Sequence, residues 1–318
     1  DFCDGTKEAI ETIAAYEASV GVTTIVPATM TLSEKELLHI MKIAAAYTQQ
    51  KEQNKGATFA GINMEGPFIS EAKKGSQAAE YIRCCDLQMF KNLQYAANGL
   101  IKLVDIAPEE PGAMEFIKAV KDEVVVSLAH TKANYNSAKE AFEYGAKHVT
   151  HLYNAMPPFS HREPGVIGAA YDSKKCMVEL ICDGIHIHPS VVRATFEMFG
   201  KNRVIMISDS MRATGMPDGR YTLGGQEVEV VGKRASLVSN GALAGSTTNL
   251  MECVKIAVNK MDIPLETVIA SATINPAKAV GIDKEYGSIT KGKRGNVVLL
   301  NKDLSMKAVI IDGKILSV

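Results

Sequence analysis

The sequence predicts a closed (β/α)8 barrel of the TIM type, followed by strands belonging to a small β-sandwich. Three observations carry this expectation. Apolar runs of strand length alternate with helical patterns through seven successive units, which calls for a parallel sheet. No G-x-G-x-x-G follows the first strand, so a doubly wound dinucleotide fold has no support. The last segment, "YGSITKGKRGNVVLLNKDLSMKAVIIDGKILSV" (286–318), breaks the rhythm with short strands, turns and no helix. The division expected is therefore a barrel over 1–282 and part of a β-sandwich over 283–318.

The units follow in order. "VTTIVPA" (22–28) reads as a strand. "SEKELLHIMKIAAAYTQQ" (33–50) reads as a helix with Ser33 capping its start and Glu36 completing a capping box. "TFAGINME" (58–65) is a strand, and "DLQMFKNLQYAAN" (86–98) a helix stopped by Gly99. A strand over 100–108 and a helix near 111–121 come next. "EVVVSLAH" (123–130) is a strand, and "YNSAKEAFEYG" (135–145) a helix. "KHVTHL" (147–152) is a strand leading into a loop rich in Pro and Gly. "MVELICDG" (177–184) is a strand before a helix over 190–199, and "RVIMISDS" (203–210) is a strand. Short Gly-punctuated strands form an insertion over 219–244, and helices follow near 246–260 and 264–271.

Composition narrows the function classes. With 318 residues, 46% of them hydrophobic, the chain can bury a large core. A formal net charge of −1, with charges spread along the chain, gives no basic block for nucleic acid and no acidic tail. No apolar run approaches the roughly 18 residues of a membrane span. The six cysteines are scattered without a C-x-x-C pair, which reads as reduced cytoplasmic thiols; the adjacent Cys84 and Cys85 read as packing or surface residues. Nothing signal-like opens the chain at Asp1.

Chemistry is expected at the strand ends. Glu65 in "INMEGP", His130 in "SLAHT", His151 in "VTHLYN", His186 in "CDGIHIHP" and Asp209 in "MISDS" all close apolar runs. In a (β/α)8 barrel those ends form the rim of the active site. One such residue could be ordinary hydrogen-bonded structure. Five of them, of the types that bind and work a divalent metal, point to a metal-dependent enzyme. A carboxylate with two imidazoles is a common catalytic set that leaves a position open for water. Asp209 after its hydrophobic strand suits a general base; as a bland alternative it caps the following loop. Within 147–152 side chains should alternate, so His148 and His151 should point opposite ways and at most one should face the site. His148 is expected to be structural or helix-facing. His39 should lie on a helix surface, and His161 and His188 in solvated loops.

At these residues the sequence resembles the N-acetylglucosamine-6-phosphate deacetylases of the amidohydrolase superfamily. The likeness runs over essentially the whole chain. It rests on "GINMEGPFIS", "AHTKANYNSAKEAFEYGAKHVTHLYNAMPPFSHREPGVIGAA", "CDGIHIHP", "SDSM" and "LAGSTTNL", with "GSITKGKRGNVVLLN" resembling the return to the β-sandwich. The resemblance implies a barrel of the metal-dependent hydrolase kind that deacetylates N-acetylglucosamine 6-phosphate in the cytoplasm. It implies Glu65, His130 and His151 as ligands of one divalent metal (Zn, Fe, Co or Mn), with His148 excluded. It makes Asp209 the catalytic carboxylate and His186 a substrate contact. Asn154, Ala155 and Arg162 match the segment that holds the sugar phosphate, the arginine reaching in from a neighbouring subunit, so a homodimer is expected.

Three departures accompany it. The family carries a His-x-His, or a variant, on a first strand that would precede Asp1, so a second metal is left open. Many members place a His–Asn pair after "KKG", where this chain has Gln77 and Ala78. Gln77 can still donate to an acetyl carbonyl, without a charge. Asn296 replaces an acidic residue of the closing motif. The rival readings are another amidohydrolase activity, such as a cyclic-amide hydrolase or deaminase, and a non-catalytic fragment.

Overall fold

The computed structural model describes residues 1–49 and 56–316. Helix α1 (Lys7–Ser19) precedes β1 (Thr24–Ile25), and α2 (Glu34–Thr48) leads to β2 (Thr58–Phe59) and β3 (Ile62–Met64). Then come α3 (Leu87–Ala96), β4 (Ile101–Ile106), α4 (Ala113–Val120), β5 (Val125–Leu128), α5 (Tyr135–Tyr144) and β6 (His148–Val149). They are followed by α6 (Gly165–Asp172), β7 (Met177–Ile181), α7 (Pro189–Phe199) and β8 (Val204–Ile207). The insertion supplies β9 (Gly219–Leu223), β10 (Gln226–Val231) and β11 (Arg234–Leu237). The chain continues through α8 (Leu250–Met261), α9 (Leu265–Ala272), α10 (Ile274–Ala279), β12 (Val297–Leu300), β13 (Met306–Ile311) and β14 (Lys314–Leu316).

Strands β3 to β8 form one parallel sheet in sequence order. The β1–β2 pair is also parallel, and a parallel bridge from Ala28 to Asn63 carries it onto β3. The first predicted strand thus joins the same curled wall, with helices between strands as a (β/α) barrel requires. Local chemistry sets the helices as expected. Ser33 and Glu36 form the capping box of α2, Asp86 caps α3, and Gly99 (φ 77°) turns the chain after α3. Between sheet and helices, Phe116 packs edge-on against both Phe68 and Phe90, with centroids 5.4 and 5.5 Å apart. All three rings are buried, each worth about 1.5–3 kcal/mol in removed apolar surface.

Two smaller antiparallel sheets complete the molecule. In the insertion, β9–β10–β11 bury Leu223, Val228, Val230, Ala235 and Leu237 against Met30 and Met211, leaving the other face to solvent. The C-terminal sheet β12–β13–β14 sets Val309 and Ile311 against Ala18 of α1 and Ala57.

Some expectations need correction. The loop after 152 holds a helix, α6, whose sequence "GVIGAAYD" is buried through Ala170 and so lacks a polar stripe. It also contains Gly168, where a Cβ would stand 2.4 Å from Pro164 Cβ. Helices α1 and α10 likewise go beyond the predicted set. Gln50 of the predicted capping-box helix and residues 317–318 of the C-terminal segment lie outside the described residues. Among the described residues no helix is long and apolar enough to cross a membrane. All six cysteines are free.

Candidate active site

Glu65 follows β3, His130 follows β5, His151 follows β6, His186 follows β7 and Asp209 follows β8, all at the carboxyl ends of the parallel strands. Three of them, His130 (φ 44°), His151 (φ 34°) and Asp209 (φ 51°), sit in the left-handed region. Non-glycine residues pay strain there and persist only where their surroundings hold them, a pattern concentrated at functional sites. Glu65 is set differently. The next residue is Gly66 at φ 71°, where a Cβ would lie 2.1 Å from Thr31 Oγ1, so "MEGP" demands glycine.

The ligating atoms of Glu65, His130 and His151 all lie within 4.8 Å of one another. His130 Nε2 is 3.0 Å from Glu65 Oε1 and 3.1 Å from His151 Nε2. His130 Nδ1 is 2.9 Å from the Lys73 carbonyl. A carbonyl only accepts, so that nitrogen carries the proton and Nε2 is the atom turned inward; burial opposes the charged imidazole, but the Glu65 hydrogen bond and charge raise its pKa. Burial, then the neighbouring His130, holds the His151 imidazole down to about 4, neutral at physiological pH as a metal ligand must be. Two buried imidazole nitrogens converging beside a carboxylate oxygen suit a divalent cation between them. The donor set therefore fits the expected metal.

His186 and Asp209 stand beside this cluster. Asp183 Oδ2 lies 2.7 Å from His186 Nδ1, and Asp183 Oδ1 accepts the His186 backbone N–H at 2.9 Å. Ser246 Oγ donates to the same Asp183 Oδ2 at 3.2 Å. The Ser246 backbone also clamps the Asp209 turn: its N–H donates to Asp209 O at 2.8 Å, and its carbonyl accepts from Met211 at 2.9 Å. Burial, then the charge of Glu65, pushes Asp209 up to about 7. A carboxylate poised near neutrality is suited to moving a proton.

The remaining predicted residues fall as follows. Gln77 is buried against Glu65; its Nε2 donates to Glu65 Oε1 at 2.7 Å and its Oε1 accepts the Thr31 N–H at 2.7 Å. Asn154 closes the loop after β6 by donating to the carbonyls of His151 and Leu152. Positive φ recurs at His151, Tyr153 and Ala155. Arg162 is exposed on the following loop. His39, His161 and His188 are exposed, and His188 caps α7.

Strand alternation does not decide between His148 and His151, of which only His151 lies in the cluster. The strand covers only His148–Val149, and the backbone turns left-handed at His151, so period-two phasing does not reach it. Both imidazoles are buried. His148 is not helix-facing: its Nδ1 meets Ser127 Oγ at 2.9 Å, in a polar group with Thr150 and Asp105. Burial holds it down to about 3, hence neutral.

Sequence reading missed the groups that hold these turns. The Glu109 carboxylate accepts from Thr131 Oγ1 and from the Lys132 N–H, gripping the turn at His130. Glu179, Asp183 and Ser246 do comparable work. Signals existed: Asp105 in "IKLVDI" and Glu179 in "MVELI" are single carboxylates inside apolar strands, and Asp183 and Ser246 sit within the quoted motifs.

A parallel-sheet barrel with carboxylate and imidazole side chains converging at its strand ends defines a metal-dependent hydrolase. The family model described as the amidohydrolase family matches residues 4–316, and the chain belongs to that family. It is 38% identical over 317 residues to an N-acetylglucosamine-6-phosphate deacetylase of Bacillus subtilis, covering 99% of this chain and 80% of that one. It is 33% identical to an N-acetylgalactosamine-6-phosphate deacetylase of Escherichia coli O157:H7, covering 100% and 83% of the two chains. Among solved structures it superposes with a TM-score of 0.93, at 31% identity, on the Mycobacterium smegmatis N-acetyl-D-glucosamine-6-phosphate deacetylase. That protein was solved as a point mutant bound to N-acetyl-D-glucosamine-6-phosphate, and the match covers 99% of this chain and 82% of that one.

Proposed function

We propose that this enzyme hydrolyses the acetamide of N-acetylglucosamine 6-phosphate, giving glucosamine 6-phosphate and acetate. The convergence of Glu65, His130 and His151 beside Asp209 is the observation that carries the reading. Relatives of that activity, similar over nearly the whole chain, support it.

A divalent metal held by Glu65, His130 and His151 would activate water and polarise the acetyl carbonyl. Asp209 takes the proton from the attacking water and passes it to the departing amine nitrogen. Gln77 spends one amide N–H on Glu65 and has a second to offer the developing oxyanion. Asn154 and Ala155, on the loop after β6, contact the phosphate. Arg162 of a second copy completes the phosphate site, making the enzyme a homodimer, and His186 contacts the sugar. Free cysteines throughout suit the cytoplasm.

A second reading, the galacto epimer of the same sugar phosphate, is favoured by the 33% identity to the N-acetylgalactosamine-6-phosphate enzyme. Acetate release should be assayed on both epimers and on N-acetylglucosamine lacking phosphate. Highest kcat/KM on the gluco phosphate is expected. A preference for the galacto phosphate would move the substrate to that epimer, and no preference for phosphate would overturn the reading.

A further inference from the structure

The proposed chemistry makes no use of three titratable side chains, the buried Asp105 and His148 and the half-buried Glu179. They lie on one face of the parallel sheet, just below the candidate metal ligands. Asp105, Ser127 and His148 are register partners across β4, β5 and β6. Thr150 Oγ1 donates to Asp105 Oδ1 at 2.9 Å and meets Ser127 Oγ at 2.7 Å. Ser127 Oγ meets His148 Nδ1 at 2.9 Å, and His148 Nε2 is 3.7 Å from Glu179 Oε1. This chain of contacts ends at His151, whose backbone N–H donates to Glu179 Oε2 at 3.3 Å. The backbone carbonyl of Glu179 takes the next amide, Leu152 N–H, at 2.9 Å. Glu179 thus grips the left-handed turn at His151 (φ 34°) at two successive amides.

We propose that Glu179 is a positioning residue for His151, its carboxylate fixing the strained turn that aims the imidazole at Glu65 and His130. The inference rests on the reading of those three side chains as the metal site. A left-handed histidine has no intrinsic preference for that backbone, so something must hold it. Groups that orient a ligand from behind are worth 10–100-fold in metal affinity. Glu179 is the one carboxylate inside the apolar strand β7, and its hydrogen bond goes to the His151 amide, with His148 Nε2 further off at 3.7 Å.

The test is equilibrium dialysis of the whole chain against Zn(II) alone, with thermal melting in parallel. Glu179→Gln keeps an oxygen acceptor at the His151 amide. Glu179→Leu removes it, and Glu179→Asp keeps the carboxyl group but withdraws the oxygen by one methylene. Wild-type affinity for Gln, with 10–100-fold weaker binding for Leu and Asp, is expected. Asp at wild-type affinity, or Gln as weak as Asp, overturns the proposal. If the Leu variant does not fold, Asp and Gln decide it. Failure of the metal-site reading would show separately, as His151→Ala binding Zn(II) as tightly as wild type.

Discussion

The Gln77 amide nitrogen donates to Glu65 Oε1 at 2.7 Å, and the Thr31 N–H fixes the amide's other end. A residue expected to meet substrate is therefore also a brace for a candidate metal ligand. Gln77→Ala should loosen Glu65 and leave the buried Thr31 N–H without its acceptor, costing about 1–3 kcal/mol of stability. Zn(II) affinity should fall roughly 10-fold or more. Titration calorimetry and a thermal melt check this; unchanged metal affinity would remove the bracing role.

Arg162 is exposed on the loop between β6 and α6. Arg162→Ala should raise KM for the phosphorylated sugar about 10-fold or more, the worth of one charge-assisted contact of roughly 1.5–3 kcal/mol. Activity on the sugar without phosphate should stay level. Equal losses on both substrates would argue against a phosphate contact.

Asp183 sets the charge of His186. Burial opposes the imidazolium, but the Asp183 hydrogen bond and charge outweigh it and raise the His186 pKa. In Asp183→Asn the opposing burial remains while the favourable charge goes, so His186 should lose its proton at lower pH. KM measured across pH should start to climb at lower pH than in wild type, with kcat less affected. A KM profile that superimposes on wild type would dissociate Asp183 from substrate binding.

Much of the layout was legible in the sequence, because alternating patterns and strand-end polar residues are local signals. Ser33, Glu36 and Asp86 cap where capping chemistry says they should. The missed pairings share a cause, dependence on partners far along the chain. Ser246 reaches Asp183 across 63 positions, and Gln77 reaches Thr31 across 46. Neither pairing has a sequence period. Strand alternation could not decide between His148 and His151, because it needs a regular strand through His151, where the backbone instead turns left-handed. Helix α6 escaped because a segment buried on nearly every side shows no amphipathic stripe.

Asp209 separates a proton carrier from a loop cap. It follows the buried run of β8, and the Ser246 backbone holds it at φ 51°. Asparagine tolerates that backbone region almost as readily as aspartate, so Asp209→Asn should keep the turn and the fold. It also caps nearly as well, so a mere cap would leave stability and activity close to wild type. What asparagine cannot do is accept the water's proton. With Asp209 as the carrier, metal content and melting temperature should stay near wild type while kcat falls by roughly 10²–10⁴, the usual worth of a general base. A variant with full metal and near-normal kcat would return Asp209 to the role of a cap, and one that lost its metal would make it a ligand.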